Sequence, residues 1–167
     1  MSSLDERAQR LARIVAQVSR NMRIPLLIDS VSPGLTTSQM LILQLLEESD
    51  KPVLSMSEIA SDLGVSLPTV TSLVDRLVGR GLVERGTSER DRRLVLLRLT
   101  PYGREVNDQI QRVIRQFVKD ALADMDELGQ EQLALGMERV FEFSRRVRER
   151  QRQGLSAGHE TVDGGAA

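Results

Sequence analysis

Residues 55–100 constrain the fold more than any other part of the chain. They read SMSEIASDLGVSLPTVTSLVDRLVGRGLVERGTSERDRRLVLLRLT. Ser55 followed by Glu58 has the form of a capping box, in which a serine and a glutamate satisfy two free N–H groups reciprocally. The helix so opened turns Ile59, Ala60 and Leu63 inward, and Gly64 stands where a left-handed residue ends a helix. Ser66 caps a second helix with Pro68 in its first turn, where a missing N–H costs nothing. Val70, Leu73, Val74 and Leu77 form one apolar stripe, and Gly79-Arg80-Gly81 stops it. Strands are expected over 82–85 and 94–99. In the second, Val95, Leu97 and Leu99 alternate with Leu96 and Arg98, as a sheet with one covered face requires. The loop between them carries Arg90, Arg92 and Arg93. Helix, turn, helix and a basic-tipped hairpin in that order suit a helix-turn-helix with a β-wing, which presents one helix to a DNA groove with a finger beside it.

The flanks read as helices. The first is expected from about 4 to 24, with Leu11, Ile14, Val15, Val18 and Met22 at three- and four-residue spacing, and Pro25 and Ser32-Pro33-Gly34 mark its break. Thr36 and Gln39 make a second capping box. The helix after it carries Met40, Leu41, Leu43, Leu45 and Leu46, is apolar nearly all round, and so is expected to be buried. Thr100-Pro101 opens a fifth helix to about 125, with Val106, Ile110, Val113, Ile114, Phe117, Ala121 and Leu122 on its stripe. A sixth is expected from about 130 to 151 through Leu133, Met137, Val140, Phe141, Ser144 and Val147. Residues 154–167, rich in Gly, Ala and Ser, have the composition of a disordered tail. The fold class is therefore mostly α with a small β-wing. Its divisions are an N-terminal dimerisation helix and linker (1–34), a winged lobe (35–100), C-terminal dimerisation helices (101–152) and a tail (153–167). The long terminal helices need a surface for their stripes, and a second copy of the chain is the economical one, because two-fold proteins read DNA half-sites one helical turn apart.

Composition narrows the function classes. The 167 residues include 40% hydrophobic but only 2% aromatic, so the core is expected from Leu, Val, Ile and Met. With no cysteine, disulfides, Cys-ligated metals and thiol switches are closed to it. Neither a signal peptide nor an apolar run of about 20 residues is present, which makes a cytoplasmic protein without a membrane partner the default. The single histidine, His159, lies in the expected tail. No Gly-rich phosphate loop and no His/Asp/Glu metal spacing accompanies it, so no catalytic residue, cofactor or metal is assigned and an enzyme is disfavoured. Net charge is −1, yet 80–104 holds seven arginines against Glu84, Glu89 and Asp91, a local +4 that leaves −5 elsewhere. A basic patch on an acidic body is a directional signal. Arg145, Arg146, Arg148, Arg150 and Arg152 form a second basic run, best read as a solvated helix end.

With the Val70–Leu77 stripe turned inward, Pro68, Ser72, Asp75 and Gly79 face outward, flanked by Thr69, Thr71 and Arg76. Small hydroxyls let a helix sit deep in the major groove. Thr69, Thr71 and Ser72 suit base edges or phosphates, and Arg76 suits a guanine or a phosphate. Ser66 and Leu67 lie at the helix N-terminus, where N–H groups and the dipole favour a phosphate. Of Arg90, Arg92 and Arg93, one suits a narrow minor groove and the others phosphates, with Asp91 either pairing to a neighbouring arginine or capping the loop. A winged helix that contacts protein rather than DNA is the rival reading.

The run SEIASDLGVSLPTVTSLVDRLVGRGLVER, followed by ERDRRLVLLRLTPYG, resembles the multiple-antibiotic-resistance regulator (MarR) family of winged-helix repressors. The resemblance extends from the first helix to the sixth and is strongest over 54–103. It implies a homodimer on pseudo-palindromic operator DNA, a transcriptional repressor often released by a small apolar or aromatic anionic effector bound between the DNA lobe and the dimer helices. Met22, Leu26, Ile28, Met40 and Leu43 are the candidates for lining such a pocket, with plain core as the competing reading. Ser72 stands where members often have a basic residue, so the base-reading face here is less basic. The missing cysteine rules out the peroxide sensing of some relatives.

Overall fold

The computed structural model describes residues 3–21, 23–87 and 94–157. Seven helices and three strands follow one another within them: α1 (Ser3–Asn21), α2 (Ile24–Val31), α3 (Thr37–Glu48), β1 (Leu54–Ser55), α4 (Met56–Leu63), α5 (Leu67–Gly79), β2 (Val83–Thr87), β3 (Val95–Leu99), α6 (Pro101–Leu122) and α7 (Glu127–Ala157). The chain divides into two compact units, 1–115 and 116–167.

In the first unit, local sequence signals set the helix starts. Thr36 Oγ1 accepts from the Gln39 N–H at 3.3 Å while the Gln39 side-chain oxygen Oε1 accepts from the Thr36 N–H at 2.9 Å. Ser55 and Glu58 repeat the arrangement, with the Ser55 N–H donating to Glu58 at 2.8 Å. Each such cap stabilises a helix start by roughly 1 kcal/mol. Gly64 ends α4 at φ +66°, a conformation glycine adopts without strain, and its N–H donates to the Ala60 carbonyl.

Three antiparallel strands lie in the order β1-β3-β2, with Leu54 opposite Leu97 and Arg85 opposite Leu97 on the other side. The core beneath them joins Ile28, Ile42, Leu43, Ile59, Val70, Val74, Leu77, Leu82, Leu97 and Ile110, all fully buried or nearly so. Every buried hydrophobic is Ile, Leu, Val or Met, as the scarcity of aromatics requires. Each contributes about 1.5–3 kcal/mol on burial. α6 is seated by Thr100: its N–H donates to the Leu82 carbonyl at 3.1 Å, its hydroxyl donates to Gly81 O at 2.6 Å, and that hydroxyl accepts the Gly103 N–H at 2.9 Å. In the second unit, Gln130 Nε2 donates to the Leu122 and Met125 carbonyls and so ties the start of α7 to the turn before it.

Three expectations are corrected. The break at Pro25 is the first turn of a further helix, α2, because proline near a helix start removes an N–H that has no partner there anyway. Arg23, at φ +44° and ψ 39°, makes the corner that a continuous first helix to residue 24 would not contain. A third strand, β1, escapes the two-strand reading because two residues carry no alternation pattern. α7 begins at Glu127 and continues to Ala157, into the expected tail, and the rest of that tail lies outside the described residues.

Candidate nucleic-acid interface

α5 is amphipathic as its spacing requires. Val70, Val74 and Leu77 are buried, while Pro68, Thr69, Thr71, Ser72, Asp75 and Arg76 are exposed on the opposite side. The expected outward residues therefore share one face of one helix. The three hydroxyls differ in what they already hold. Thr69 Oγ1 is bonded to Ser66 Oγ at 2.8 Å. Thr71 Oγ1 donates to the Leu67 carbonyl at 2.9 Å, leaving its lone pairs to accept. Ser72 has no partner among the described residues and keeps both donor and acceptor capacity. Arg76 forms no ion pair among the described residues. At the N-terminus, Ser66 Oγ accepts the Thr69 N–H at 3.4 Å and Pro68 has none, so Leu67 carries the free backbone donor there. The Leu67 side chain is 46% exposed beside it, an apolar surface at the tip of the helix.

The wing strands rise next to this face. Arg85 on β2 forms an ion pair with Asp75 on α5, which ties the foot of the wing to the helix. Arg98 Nε donates to Glu84 across the β2–β3 ladder at 2.7 Å. Arg104 approaches Glu47 at 3.7 Å. All three pairs are exposed, and each is worth at most about 1 kcal/mol, but together they settle where three of the seven clustered arginines point. None of these pairings is marked in the sequence, because each joins residues ten or more positions apart. Arg90, Arg92 and Arg93, with Asp91, lie outside the described residues.

Between the start of α4, the start of α5 and the wing lies an open groove of about 370 Å³, bordered by residues that include Ser57, Leu67, Thr71, Arg85, Leu94 and Val95. The residues expected around an effector do not border it. Ile28, Met40 and Leu43 are packed in the core, Leu26 is 57% exposed, and Met22 lies outside the described residues. Among the described residues no helix is long and apolar enough to cross a membrane, and no three His, Asp or Glu side chains are grouped to hold a metal ion.

Residues 34–94, the span from the turn before α3 to the start of β3, match the MarR family model. Over that span the chain is similar to the MarR family. In sequence it is similar to the uncharacterized HTH-type transcriptional regulator YfiV of Bacillus subtilis (strain 168), 41% identical over 68 residues. That alignment takes in 41% of each chain, so this chain spans less than half of that relative's length. Solved structures extend the likeness of fold beyond that span. The crystal structure of Streptococcus pneumoniae FabT in complex with DNA superposes with a TM-score of 0.72 at 23% identity, over 84% of this chain and 99% of that one. The transcriptional regulator BldR from Sulfolobus solfataricus gives 0.66 at 26% identity, over 85% and 99%.

Proposed function

We propose that this protein is a sequence-specific DNA-binding transcriptional regulator. The observation that carries the reading is the exposed face of α5, where Thr69, Thr71, Ser72 and Arg76 stand together, with Arg90, Arg92 and Arg93 in the sequence between the paired strands β2 and β3. Hydroxyls and a guanidinium on one helix face are what base edges in a major groove pair with, and arginines on a hairpin suit the adjoining minor groove. The fold shared with FabT, solved with DNA, supports the same reading.

The protein acts as a homodimer on a pseudo-palindromic operator. α1 exposes Leu4, Leu11, Val15 and Val18 on one stripe, and α7 exposes Leu133, Met137, Val140 and Phe141 on another. Monomers rarely leave such large apolar surfaces in water, and a second copy covers them while placing two α5 helices roughly 34–36 Å apart. The regulator is a repressor, and a small apolar or aromatic anionic molecule releases it from DNA. The groove at the foot of the wing, bordered by Leu67 and Leu94, offers such a ligand an apolar seat against α5 itself.

A gel shift with random-sequence duplex at low salt tests the central claim. The full chain is expected to bind, with affinity falling steeply as salt rises. Arg90→Ala or Arg92→Ala is expected to weaken binding to every sequence and to lower the salt slope by about one. A folded wild-type chain that binds no duplex would point to a winged helix that contacts protein. Unchanged affinity and slope in both variants would remove the wing from the mechanism.

A further inference from the structure

Of the arginines clustered between residues 80 and 104, Arg80 stands apart. It is the C-cap of α5, and its N–H donates to the Arg76 carbonyl. Its guanidinium reaches back to the turn between α2 and α3, 48 residues away in sequence. Both hydrogens of Nη2 are engaged there: one on Ser32 Oγ at 2.7 Å, the other on Pro33 O at 3.0 Å. Ser32 is the C-cap of α2 and is only 6% exposed. A Cβ added to Gly34, whose φ is +74°, would lie 3.7 Å from Nη1, so the guanidinium lies against the backbone of the same turn. The turn is itself braced, because the Gly34 N–H donates to the Asp29 carboxylate at 2.8 Å.

The chemistry of this contact is that of a splint. One planar cation sits at the C-terminal ends of two helices, α5 to which it belongs and α2 which it touches, and both dipoles favour it there. A lysine has the charge but not the flat fork that reaches two fixed acceptors.

We propose that Arg80 is a positioning residue: by tying the C-terminus of α5 to the α2–α3 turn it sets the direction in which α5 presents its outer face, and it makes no contact with DNA. The inference rests on the DNA-binding reading above. It predicts that losing the tie degrades recognition of sequence without removing a phosphate contact.

The test uses the full-length chain with two probes, a random-sequence duplex and a duplex selected from a random pool. For Arg80→Ala, the preference for the selected duplex is expected to fall about tenfold, the value of one misplaced base contact. Random-duplex affinity and the salt slope are expected to stay at wild-type values. Arg80→Lys is expected to behave like the alanine variant, since charge alone does not splint the turn, and Ser32→Ala, a milder change, is expected to lose part of the same preference. A slope lowered by about one in Arg80→Ala and restored by lysine would make Arg80 a phosphate contact and overturn the proposal. Unchanged preference in both Arg80→Ala and Ser32→Ala would also overturn it. A denaturation cycle with Arg80→Ala, Ser32→Ala and the double variant tests the tie without DNA. Non-additive losses support it and additive losses refute it. If the wild-type chain binds neither duplex, the DNA reading falls and the positioning role with it, whereas an additive cycle with intact binding sinks the tie alone.

Discussion

Gly103 is the position where a single methyl group should cost most. It lies in the first turn of α6 and is buried. A Cβ placed on it would stand 1.9 Å from the carbonyl oxygen of Leu82 and 2.9 Å from its carbonyl carbon. Those are backbone atoms, and the same carbonyl already accepts the Thr100 N–H, so it cannot turn aside without breaking the seat of α6. Overpacking of this kind costs about 1–3 kcal/mol, and a clash with main chain belongs at the upper end. Against it stands the helix gain of alanine over glycine, roughly 0.5–1 kcal/mol. The balance for Gly103→Ala is a loss of about 2 kcal/mol, or a melting temperature lower by about 4–8 °C for a chain of this size. Gly79→Ala is the matched control: the residue is also helical, nothing lies within 4 Å of its added Cβ, and its φ is not left-handed. It should gain a few tenths of a kcal/mol. Thermal unfolding by circular dichroism, at one fixed protein concentration because oligomerisation shifts the midpoint, measures both. A Gly103→Ala variant as stable as Gly79→Ala would refute the close approach of α6 to Leu82.

Two further outcomes follow from the same geometry. Lys51 and the Ser55 N–H and hydroxyl hold the Glu58 carboxyl well below its ordinary value of 4.5, at about 2. A depressed folded pKa gives stability that is present above 4.5 and is lost as pH falls toward 2; the urea midpoint of the wild type should therefore approach that of Glu58→Gln over this interval, and parallel curves would contradict the cause assigned. Phe141→Glu on the exposed stripe of α7 should yield a folded monomer by sedimentation, whereas an unchanged dimer, or a monomeric wild type, would rule out that stripe as the dimer surface.

What the sequence made legible was local. The Thr36–Gln39 and Ser55–Glu58 boxes form because each needs only three residues of chain. The outer face of α5 was readable for the same reason, since a 3.6-residue period fixes which side of a helix is dry. α2 was hidden by Pro25, which breaks a helix in its interior but suits its first turn. Leu41 shows the limit of composition: a run apolar all round still leaves it 41% exposed, although Met40, Ile42 and Leu43 beside it are buried. The Asp75–Arg85 pair and the Arg80–Ser32 bond were unreadable, because only the tertiary fold brings those positions together.

Those non-local pairs change the electrostatics of the proposed interface, and with it a measurable quantity. Counted along the sequence, 80–104 carries +4. Two carboxylates from outside that window, Asp75 and Glu47, pair with Arg85 and Arg104, which brings the net of the group to +2. Arg98 is held by Glu84, and Arg80 is turned to the α2–α3 turn. The proposed reading assigns to phosphate Arg76, which has no ion pair among the described residues, and Arg90, Arg92 and Arg93 from the sequence between β2 and β3, four per protomer and so eight in the proposed dimer. At about 0.9 per neutralised phosphate, the plot of log affinity against log salt should have a slope no steeper than about −7. Fluorescence anisotropy with a selected duplex across a salt series measures it. A slope of about −7 or shallower agrees with a grip confined to α5 and the wing. A markedly steeper one would require cations from elsewhere, and the exposed Arg145, Arg146 and Arg150 of α7 are the first to replace with glutamine. If those changes bring the steep slope back toward −7, α7 touches DNA, and the division between a reading lobe and helices that only pair two copies does not hold.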